Sequence, residues 1–432
     1  MGEWKRVKLG EIADLCLGKM LDAKKNKGEL RPYLNNVAVR WGGFDLNDLP
    51  EMRFEESEFE RYSTRRNDII ACEGGEPGRC AIWESDEPIF LQKALHRIRI
   101  HDGCNPRFVY YQFCHLVKSG ATQHLETGST IRHLPGQAIR EVELQLPDLP
   151  TQRRIAAVLG ALDDKIEVNR KICENLEAQA QAMFKAWFVD FEPFGGKRPE
   201  GWKLGKLGDV VEGMMNGDWG KDSPDEKNGN PVFCIRGADI PDVIRGRKGK
   251  MPLRYILPKN FAAKQLAHGN IVVEISGGSP TQSTGRSALI TDSLLSRYER
   301  GMVCTNFCKA IRPKIGYSYF FYFWWRYLYD QDVFFQYENG TTGIKNLDIS
   351  TVLAERQVEI PPADILMKFS GLIEAHISAI SQRGEETETL AAMRDALLPK
   401  LMSGELAVEK VEVADACATR AGQGTAKGEK ME

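Results

Sequence analysis

The sequence predicts an α+β protein with two similar globular domains, each a mixed sheet with helices, spaced by a long helix that pairs with a second one. Three observations lead to this prediction: a heptad pattern in the middle of the chain, a set of motifs that occurs twice, and a second heptad frame near the C-terminus. A chain of 432 residues is long enough for roughly two to three domains.

The first long helix is predicted from Leu149 to Phe188. Apolar positions recur there at alternating steps of four and three residues, which is the pattern of a helix that pairs with another helix. These positions are Ile155, Leu159, Leu162, Ile166, Asn169, Cys173, Leu176, Ala180, Met183 and Trp187. Thr151, just after Pro150, is the predicted N-cap. The stripe is roughly 50 Å long at about 1.5 Å per residue, which disfavours the alternative of a helix packed into one globular core.

Four motifs occur twice and in the same order. W-K-x-x-K-L-G stands at Trp4 and at Trp202, and a β-branched strand runs into Gly-Gly in residues 67–83 and again in 269–290. "TGSTIRHL" (127–134) corresponds to "NGTTGIKNL" (339–347), and "LQLPDLP" (144–150) to "VEIPPAD" (358–364). The offset grows from 198 residues at the tryptophans to 214 at Pro147 and Pro361 and then stays fixed. The chain is therefore predicted to be an internal repeat with pseudo-two-fold symmetry.

Adding the fixed offset of 214 residues to the positions of the first heptad pattern gives a second heptad pattern near the C-terminus. It runs from Phe369 to Leu401, with apolar ends and a polar middle that contains Gly384. Pro399 is expected to stop or kink this helix. The predicted domains are 1–150, the first long helix 151–195, a second domain 196–363, the second long helix 364–404 and a disordered tail 405–432.

Shorter elements follow from local patterns. Strands are predicted at "DIIACE", "AIWES", "HRIRI", "NIVVEIS" and "SALI", and helices at "NPRFVYYQFCHLV" and "YSYFFYFWWRYLYDQDVFF". The aromatic run of the second helix is interpreted as core.

Composition excludes several classes of protein. No apolar run is long enough for a membrane span and the N-terminus has no apolar signal core, so a cytoplasmic protein is expected. The ten cysteines show no framework spacing, and Cys304 and Cys308 have no histidine near them, so neither disulfides nor a metal site are predicted. A net charge of −2 counts against a nucleic-acid binder only mildly, because clustering of basic residues on one face matters more.

Signatures of catalysis are missing from the sequence. It contains no P-loop, no dinucleotide fingerprint, no His-Glu-x-x-His and no Asn-Pro-Pro-Tyr or Asp-Pro-Pro-Tyr motif of amino-methyltransferases. The pattern favours a binding protein without catalytic residues.

Arginine, lysine, amide and hydroxyl side chains in the repeated turn regions are suited to DNA, because they pair with base edges and phosphates. The candidate DNA-binding residues are Asn35, Asn36, Arg40, Trp41, Arg65, Arg66, Arg79, Lys93 and Arg132 in the first copy, and Arg236, Gln282, Ser283, Thr284, Arg286, Thr341, Thr342 and Lys345 in the second.

The run from Leu149 to Phe188 resembles the central conserved region of specificity subunits of type I restriction–modification systems. W-K-x-x-K-L-G at the head of each half, "GSTIRHL" and "LLPKLMSGEL" are similar to the same family, and the resemblance covers residues 1 to about 408. It implies that the two globular domains are target-recognition domains that each read one half of a bipartite DNA site, and that the two long helices form an antiparallel coiled coil between them.

The resemblance also implies partners and cofactors. Two methyltransferase subunits and the restriction subunits would assemble on this chain in a bacterial or archaeal cytoplasm. They, and not this chain, would carry S-adenosylmethionine, ATP and Mg²⁺. Two alternatives remain: the recognition half of a fused restriction enzyme, which the missing catalytic motifs disfavour, and a coiled-coil scaffold that does not bind DNA.

Overall fold

The computed structural model of the chain describes residues 4–22, 26–279, 281–340 and 344–408. It divides into two compact units. Unit 1 comprises the described residues up to Asp164 and those from Ala392 onward, and unit 2 comprises Lys165–Ala391. The part of the predicted disordered tail from residue 409 onward lies outside the described residues.

Unit 1 is built on a four-stranded antiparallel sheet in the order β2-β10-β7-β8. The strands of this unit are β1 Lys5–Lys8, β2 Ala13–Leu17, β3 Glu29–Leu34, β4 Val39–Arg40, β5 Gly43–Phe44, β6 Glu51–Phe54, β7 Ile69–Cys72, β8 Cys80–Ile82, β9 Phe90–Leu91, β10 Leu95–Ile100 and β11 Glu143–Leu146. Its helices are α1 Leu9–Ile12, α2 Glu56–Tyr62, α3 Pro106–Lys118 and α4 Gly136–Arg140, with a 3-10 turn at Gln123–Leu125. Smaller sheets have the orders β6-β3-β9, β1-β11 and β4-β5.

Two long helices are shared by the two units. They are α5, Leu149–Phe188, and α11, Ala363–Met402. The helix α5 contains the whole predicted heptad stripe, but it begins two residues before the predicted domain boundary at residue 151 and ends seven residues before the predicted domain boundary at residue 195.

Unit 2 repeats the plan of strands and short helices seen in unit 1. Its strands are β12 Lys203–Lys206, β13 Val211–Asn216, β14 Asn230–Ile235, β15 Leu253–Ile256, β16 Ile271–Glu274, β17 Ser276–Gly277, β18 Ser287–Leu289, β19 Met302–Cys304, β20 Cys308–Pro313, β21 Glu338–Asn339, β22 Lys345–Leu347 and β23 Gln357–Ile360. Its short helices are α6 Ile240–Ile244, α7 Pro258–Lys264, α8 Asp292–Ser296, α9 Ser318–Asp330 and α10 Ile349–Glu355, with 3-10 turns at Glu192–Phe194, Leu207–Val210, Gly237–Asp239 and Val333–Tyr337.

Strand order confirms the internal repeat. The sheets β13-β20-β16-β18, β15-β14-β19 and β12-β23 of unit 2 have the same order as β2-β10-β7-β8, β6-β3-β9 and β1-β11 of unit 1. Both three-stranded sheets contain one parallel pair, β3 with β9 and β14 with β19. Sheets and helices occur together in each unit, so the predicted α+β class is confirmed.

The N-terminus of α5 is capped one turn earlier than predicted. The Asp148 carboxylate accepts a hydrogen bond from Thr151 N at 2.8 Å, so Asp148 is the cap and Thr151 lies inside the helix. Hydrogen bonds from the side chain and the backbone of Thr151 keep the pKa of Asp148 below its ordinary value.

Each unit buries part of the long helices in its own core. In unit 1, Ile155 and Leu159 of α5 and Leu401 of α11 pack with the buried face of α3. In unit 2, Phe184 and Phe188 of α5 pack on α9. The predicted stripe positions Met183 and Trp187 are only half-buried there, because the wide aromatic surface of α9 contacts a broader face than a heptad seam offers. The interpretation of the α9 aromatic run as core is confirmed.

Within unit 2 the long helices run antiparallel. The rings of Phe184 and Phe369 lie edge to face with centroids 6.3 Å apart. Cys173 Sγ lies 3.8 Å from Ile380 O, and Asn169 Nδ2 donates to Glu386 at 2.9 Å. Residue numbers on α11 therefore fall as those on α5 rise. The polar middle of the seam is confirmed, but the partner of Asn169 is Glu386, a residue outside the predicted frame.

Two residues that should disturb α11 lie inside it. The helix is continuous through Gly384 and ends at Met402, three residues beyond Pro399. No helix in the described ranges is long and apolar enough to cross a membrane.

Candidate nucleic-acid interface

Polar loops gather at one end of the four-stranded sheet in unit 2. The chain leaves β16 after Glu274 and returns in β18, and this connection meets the loop before β20 and the β21–β22 hairpin. Leu347 N donates to Ile275 O at 2.8 Å, and Ile275 N donates to Phe307 O at 2.9 Å. The described residues of 275–286, 305–307 and 338–346 are called loop cluster 2.

Arg286 closes the first of these loops and forms a two-point ion pair. Its Nε donates to Glu274 Oε2 at 2.8 Å and its Nη2 to Oε1 at 2.7 Å. The side chain of Glu274 is 10% exposed and that of Arg286 is 27% exposed. The hydrogen bond from this carboxylate raises the pKa of Arg286. The pair uses one edge of the guanidinium and leaves Nη1 outside it.

A second carboxylate, Glu338, organises the rest of loop cluster 2. Its Oε1 accepts from Thr284 N at 2.6 Å and its Oε2 pairs with Lys345 Nζ at 2.8 Å. Burial alone would raise the pKa of Glu338, but the hydrogen bonds from Lys345 and Thr284 outweigh it and the pKa is lowered. Ser283 and Thr284 are buried, so their side chains support the loop from inside. Gln282 Nε2 donates to Tyr329 Oη at 3.3 Å and remains at the surface.

Arg236, which follows β14, is engaged inside unit 2. Its Nε and Nη2 donate to the Asp239 carboxylate at 2.9 and 3.1 Å, and Nη2 also donates to Lys250 O at 2.8 Å. Both edges that contain Nη2 are therefore occupied, and the side chain shapes the segment after β14. Thr341 and Thr342 lie outside the described residues.

Unit 1 has a corresponding group of loops at the same end of its sheet. Arg79 Nη2 donates to Asn36 O at 2.6 Å and its Nη1 to Glu76 at 3.0 Å. Glu76 also accepts from Trp41 Nε1 at 2.7 Å. Lys118 Nζ lies 4.8 Å from the centre of the Trp41 ring. The residues 35–44, 73–79 and 127–133, together with Lys93, are called loop cluster 1.

Arg79 and Arg286 hold the same position in the two units. Each follows a glycine in the left-handed region, with φ of 79° and 104°. The carbonyl of each accepts from the last residue of the preceding strand, Cys72 N to Arg79 O at 2.8 Å and Glu274 N to Arg286 O at 2.9 Å. The repeat therefore supplies one partly buried, anchored arginine per loop cluster.

Arg132 and Lys345 form a second equivalent pair. The residue after each, His133 or Asn346, pairs with the first part of the neighbouring loop. Arg132 is 59% exposed and lies 3.6 Å from Glu126. Lys93, in the connection before β10, is exposed beside the same loops.

Other predicted residues lie apart from loop cluster 1 or serve its backbone. Arg65 and Arg66 lie at the opposite end of β7, where they pair with Glu60 and Asp86. Asn35 Oδ1 accepts from the backbone N of residues 37 and 38 at 3.0 Å each, which fixes the turn after β3. Arg40 is exposed and lies 3.6 Å from Asp45.

The carboxylates that hold the arginines were missed by sequence reasoning. Glu76 precedes Arg79 by three residues and Glu274 ends a strand, so neither falls in a recognised motif. The available signal was the Gly-Arg pair that ends the loop in each copy, with an acid nearby.

Comparison with known proteins finds a matching domain model and related sequences. The family model described as the type I restriction modification DNA specificity domain matches residues 1–178. The MjaIX specificity subunit of Methanocaldococcus jannaschii is 29% identical over 355 residues, which are 75% of this chain and 74% of that protein. The HindI specificity subunit of Haemophilus influenzae is 26% identical over 212 residues, 46% of this chain and 43% of that protein.

A solved structure has the same fold. The crystal structure of the type I restriction–modification S subunit from M. genitalium aligns with a TM-score of 0.50 at 17% identity and covers 92% of this chain and 96% of that chain. Family model, relatives and fold agree with the resemblance drawn from the central run. Residues 1–178 therefore match a type I restriction modification DNA specificity domain, and the chain is similar over three quarters of its length to a specificity subunit of a type I restriction enzyme.

Proposed function

We propose that the chain reads a bipartite, asymmetric DNA site, with loop cluster 1 on one half and loop cluster 2 on the other. The observation that carries this proposal is the equivalence of Arg79 and Arg286. Each is anchored by a carboxylate or carbonyl at the same end of the same sheet. A repeat that keeps one arginine in the same place, surrounded by different residues, suits two half sites of different sequence.

The chemistry of Arg286 favours guanine. Guanine presents O6 and N7 as two acceptors in the major groove, and arginine is the usual bidentate partner. Glu274 occupies the Nε edge of the guanidinium. The fork made by Nη1 and the second Nη2 hydrogen then points away from the carboxylate. Glu274 positions the arginine in advance, so less side-chain entropy is lost on binding.

Arg79 is held differently, which supports the asymmetry of the site. Its Nη2 donates to a main-chain carbonyl and its Nη1 to Glu76, which Trp41 also bonds. The side chain is only 18% exposed. Base contacts in loop cluster 1 would therefore also involve Trp41, Lys93 and Arg132 at the rim.

The specificity subunit assembles with DNA and with modification and restriction subunits. In the proposed complex two methyltransferase subunits dock on the α5–α11 pair, which sets a fixed gap of unread bases between the half sites. S-adenosylmethionine, ATP and Mg²⁺ are expected on those partners. Half sites roughly one DNA turn apart, about 34–36 Å, would place both read sequences on the same side of the duplex.

Methylation mapping tests this proposal. The chain and its modification subunit are expressed in a host without other adenine methylation, and methylated positions are read by sequencing. Arg286→Ala should relax one half site and leave the other unchanged, and Arg79→Ala should do the reverse. Loss of one bidentate contact, about 1–3 kcal/mol, corresponds to roughly a 5- to 150-fold loss of discrimination at one base.

Arg6→Ala is the matched control, because Arg6 is an exposed arginine of β1 that pairs only with Glu143 among the described residues. It should leave the methylated sequence unchanged. A continuous palindromic site, or unchanged methylation in both test variants, would contradict the proposal. Absence of sequence-specific methylation with the wild-type chain would favour the scaffold alternative.

A further inference from the structure

A strongly basic loop lies outside both loop clusters. Residues 245–250, between α6 and β15, read Arg-Gly-Arg-Lys-Gly-Lys. The segment 236–252, from β14 to β15, carries five cations and two acids, whereas the corresponding segment 35–50 of unit 1 carries one cation and two acids. Residues 245–250 are called the basic loop.

The basic loop is fixed to helix α11. A Cβ added to Gly384 would lie closer to the Gly246 carbonyl group than the 3.0 Å that Cβ atoms keep from their neighbours, so the two backbones touch. Lys248 N donates to Glu388 Oε1 at 2.6 Å. Arg297 bonds both the Gly246 carbonyl, at 2.9 Å, and Glu388. These contacts explain why a glycine stands in the middle of a long helix.

The other end of the basic loop is joined to the segment that shapes loop cluster 2. Lys250 N donates to Asp239 Oδ1 at 3.0 Å, and Lys250 O accepts from Arg236. Gly237, which follows Arg236 in the sequence, packs on Glu274, the carboxylate that holds Arg286. The loop thus bridges the space between the proposed reading arginine and the helix.

Two of the four cations in the basic loop contact other side chains, and two are exposed. Arg247 pairs with Asp242 at 2.5 Å, and Lys248 Nζ lies over the Tyr298 ring at 4.4 Å. Arg245 and Lys250 are exposed, and their side chains form no ion pair within the described part of the chain. A backbone held at both ends therefore presents two unneutralised charges to solvent.

We propose that the basic loop binds the phosphates of the unread gap next to the half site of unit 2. This inference rests on the proposed function. Fixed, unpaired cations suit a regular row of phosphates, and phosphate contacts add affinity without reading sequence. One end of the loop is joined to the segment that packs on Glu274, the partner of Arg286, and the other end contacts the helix that is proposed to span the gap. DNA bound at loop cluster 2 would therefore pass the loop. Unit 1 lacks these cations, so the two half sites should be held with unequal dependence on salt.

The test uses the assembled modification complex and a duplex that contains its mapped site. Arg245→Gln/Lys250→Gln removes two charges and keeps both backbone bonds of Lys250. Each lost phosphate contact should reduce the slope of log affinity against log salt by about 0.9. Between about 50 and 200 mM salt, the wild-type complex should lose roughly twelvefold more affinity than the double variant. The methylated sequence should not change.

Lys203→Gln/Lys314→Gln is the control with the same charge loss. Both lysines are exposed at the opposite end of the sheet, by β12 and after β20. This variant should keep the wild-type slope. In a second arm, methylphosphonates neutralise the gap phosphates beside the second half site. They should weaken the wild type and leave Arg245→Gln/Lys250→Gln unaffected.

An unchanged slope in Arg245→Gln/Lys250→Gln, or equal sensitivity of both proteins to methylphosphonates, would overturn the inference. So would weaker assembly with the modification subunit at unchanged DNA slope, which would assign the loop to protein docking. Failure of the wild-type complex to bind its mapped site would instead count against the proposed function.

Discussion

Gly384→Ala tests the contact between the basic loop and α11. An alanine is normally favoured over glycine inside a helix, by about 1 kcal/mol. At this position, however, the methyl group would overlap the Gly246 carbonyl. Either the helix or the loop must move, and the loop is the smaller element. The substitution is therefore expected to displace residues 245–250 from the helix.

The magnitude follows from the contacts at this junction. Overpacking costs about 1–3 kcal/mol, and loss of a hydrogen bond to a charged group, here Lys248 N to Glu388, costs about 1.5–3 kcal/mol. The gain in helix propensity offsets about 1 kcal/mol of this. The free energy of unfolding should therefore fall by roughly 2–5 kcal/mol, which for a unit of this size lowers Tm by roughly 5–15 °C.

Gly371→Ala provides the control in the same helix. Nothing lies within 4 Å of a Cβ at Gly371, so only the propensity gain acts there. Calorimetry should show Tm raised by about 1–4 °C for Gly371→Ala and lowered for Gly384→Ala. The displaced loop should also flatten the salt dependence of DNA binding. Equal Tm changes in the two variants would refute the reasoning, because glycine would then have no packing role at 384.

Two further predictions concern the long helices. Hydrogen bonds from Arg383 and Asn169 lower the pKa of Glu386. The stabilising contribution of Glu386 is therefore present above the ordinary glutamate pKa of about 4.3 and is lost as pH falls through the lower folded value. Glu386→Gln should flatten the acid limb of a plot of Tm against pH, and an unchanged limb would exclude this role. The fragment 1–195 lacks the α11 part of unit 1, including Leu401 of its core, and exposes the stripe of α5. The α5 helix of a second copy can cover this face, so the fragment should form a homodimer by sedimentation and, with the modification subunit, methylate a site whose halves are inverted copies of the first half site. A monomer would contradict the two-copy interpretation.

The elements with strong periodicity could be predicted from sequence. The existence of α5 follows from its seam, although the predicted domain bounds of 151–195 differ from the observed ones. The aromatic face of α9 was interpreted correctly as core, because burial alone selects those residues. The cap at Asp148 was missed, since a nearer threonine satisfies the same preference and only the hydrogen bond distinguishes the two. Pro399 lies inside the last turn, where few intrahelical bonds remain to be broken.

The candidate interface was predictable only where the repeat marked it. Arg79 and Arg286 stand out because the same loop ends in both copies with Gly-Arg. Ser283 and Thr284 looked like surface hydroxyls, but both are buried, and Thr284 Oγ1 donates to the Glu338 carboxylate at 2.9 Å. The partner of Thr284 lies 54 positions away in the sequence, which no local pattern reveals.

The basic loop is a difference between the two copies that the sequence offset alone does not show. The ends of β3 and β14 correspond as Leu34 and Ile235, an offset of 201 residues, and Met52 of β6 corresponds to Arg254 of β15, an offset of 202. The intervening segments are therefore nearly equal in length, yet their charge differs by four cations. An alignment of the two copies therefore contains an insertion of only one residue there. Sheet geometry constrains length between paired strands but not the charge of the loop, so that loop is free to acquire a contact in one unit that the other lacks. The same difference is visible on the long helices. At the offset of 214 residues, Gly384 of α11 corresponds to Arg170 of α5, whose side chain would collide with a loop docked in the same way.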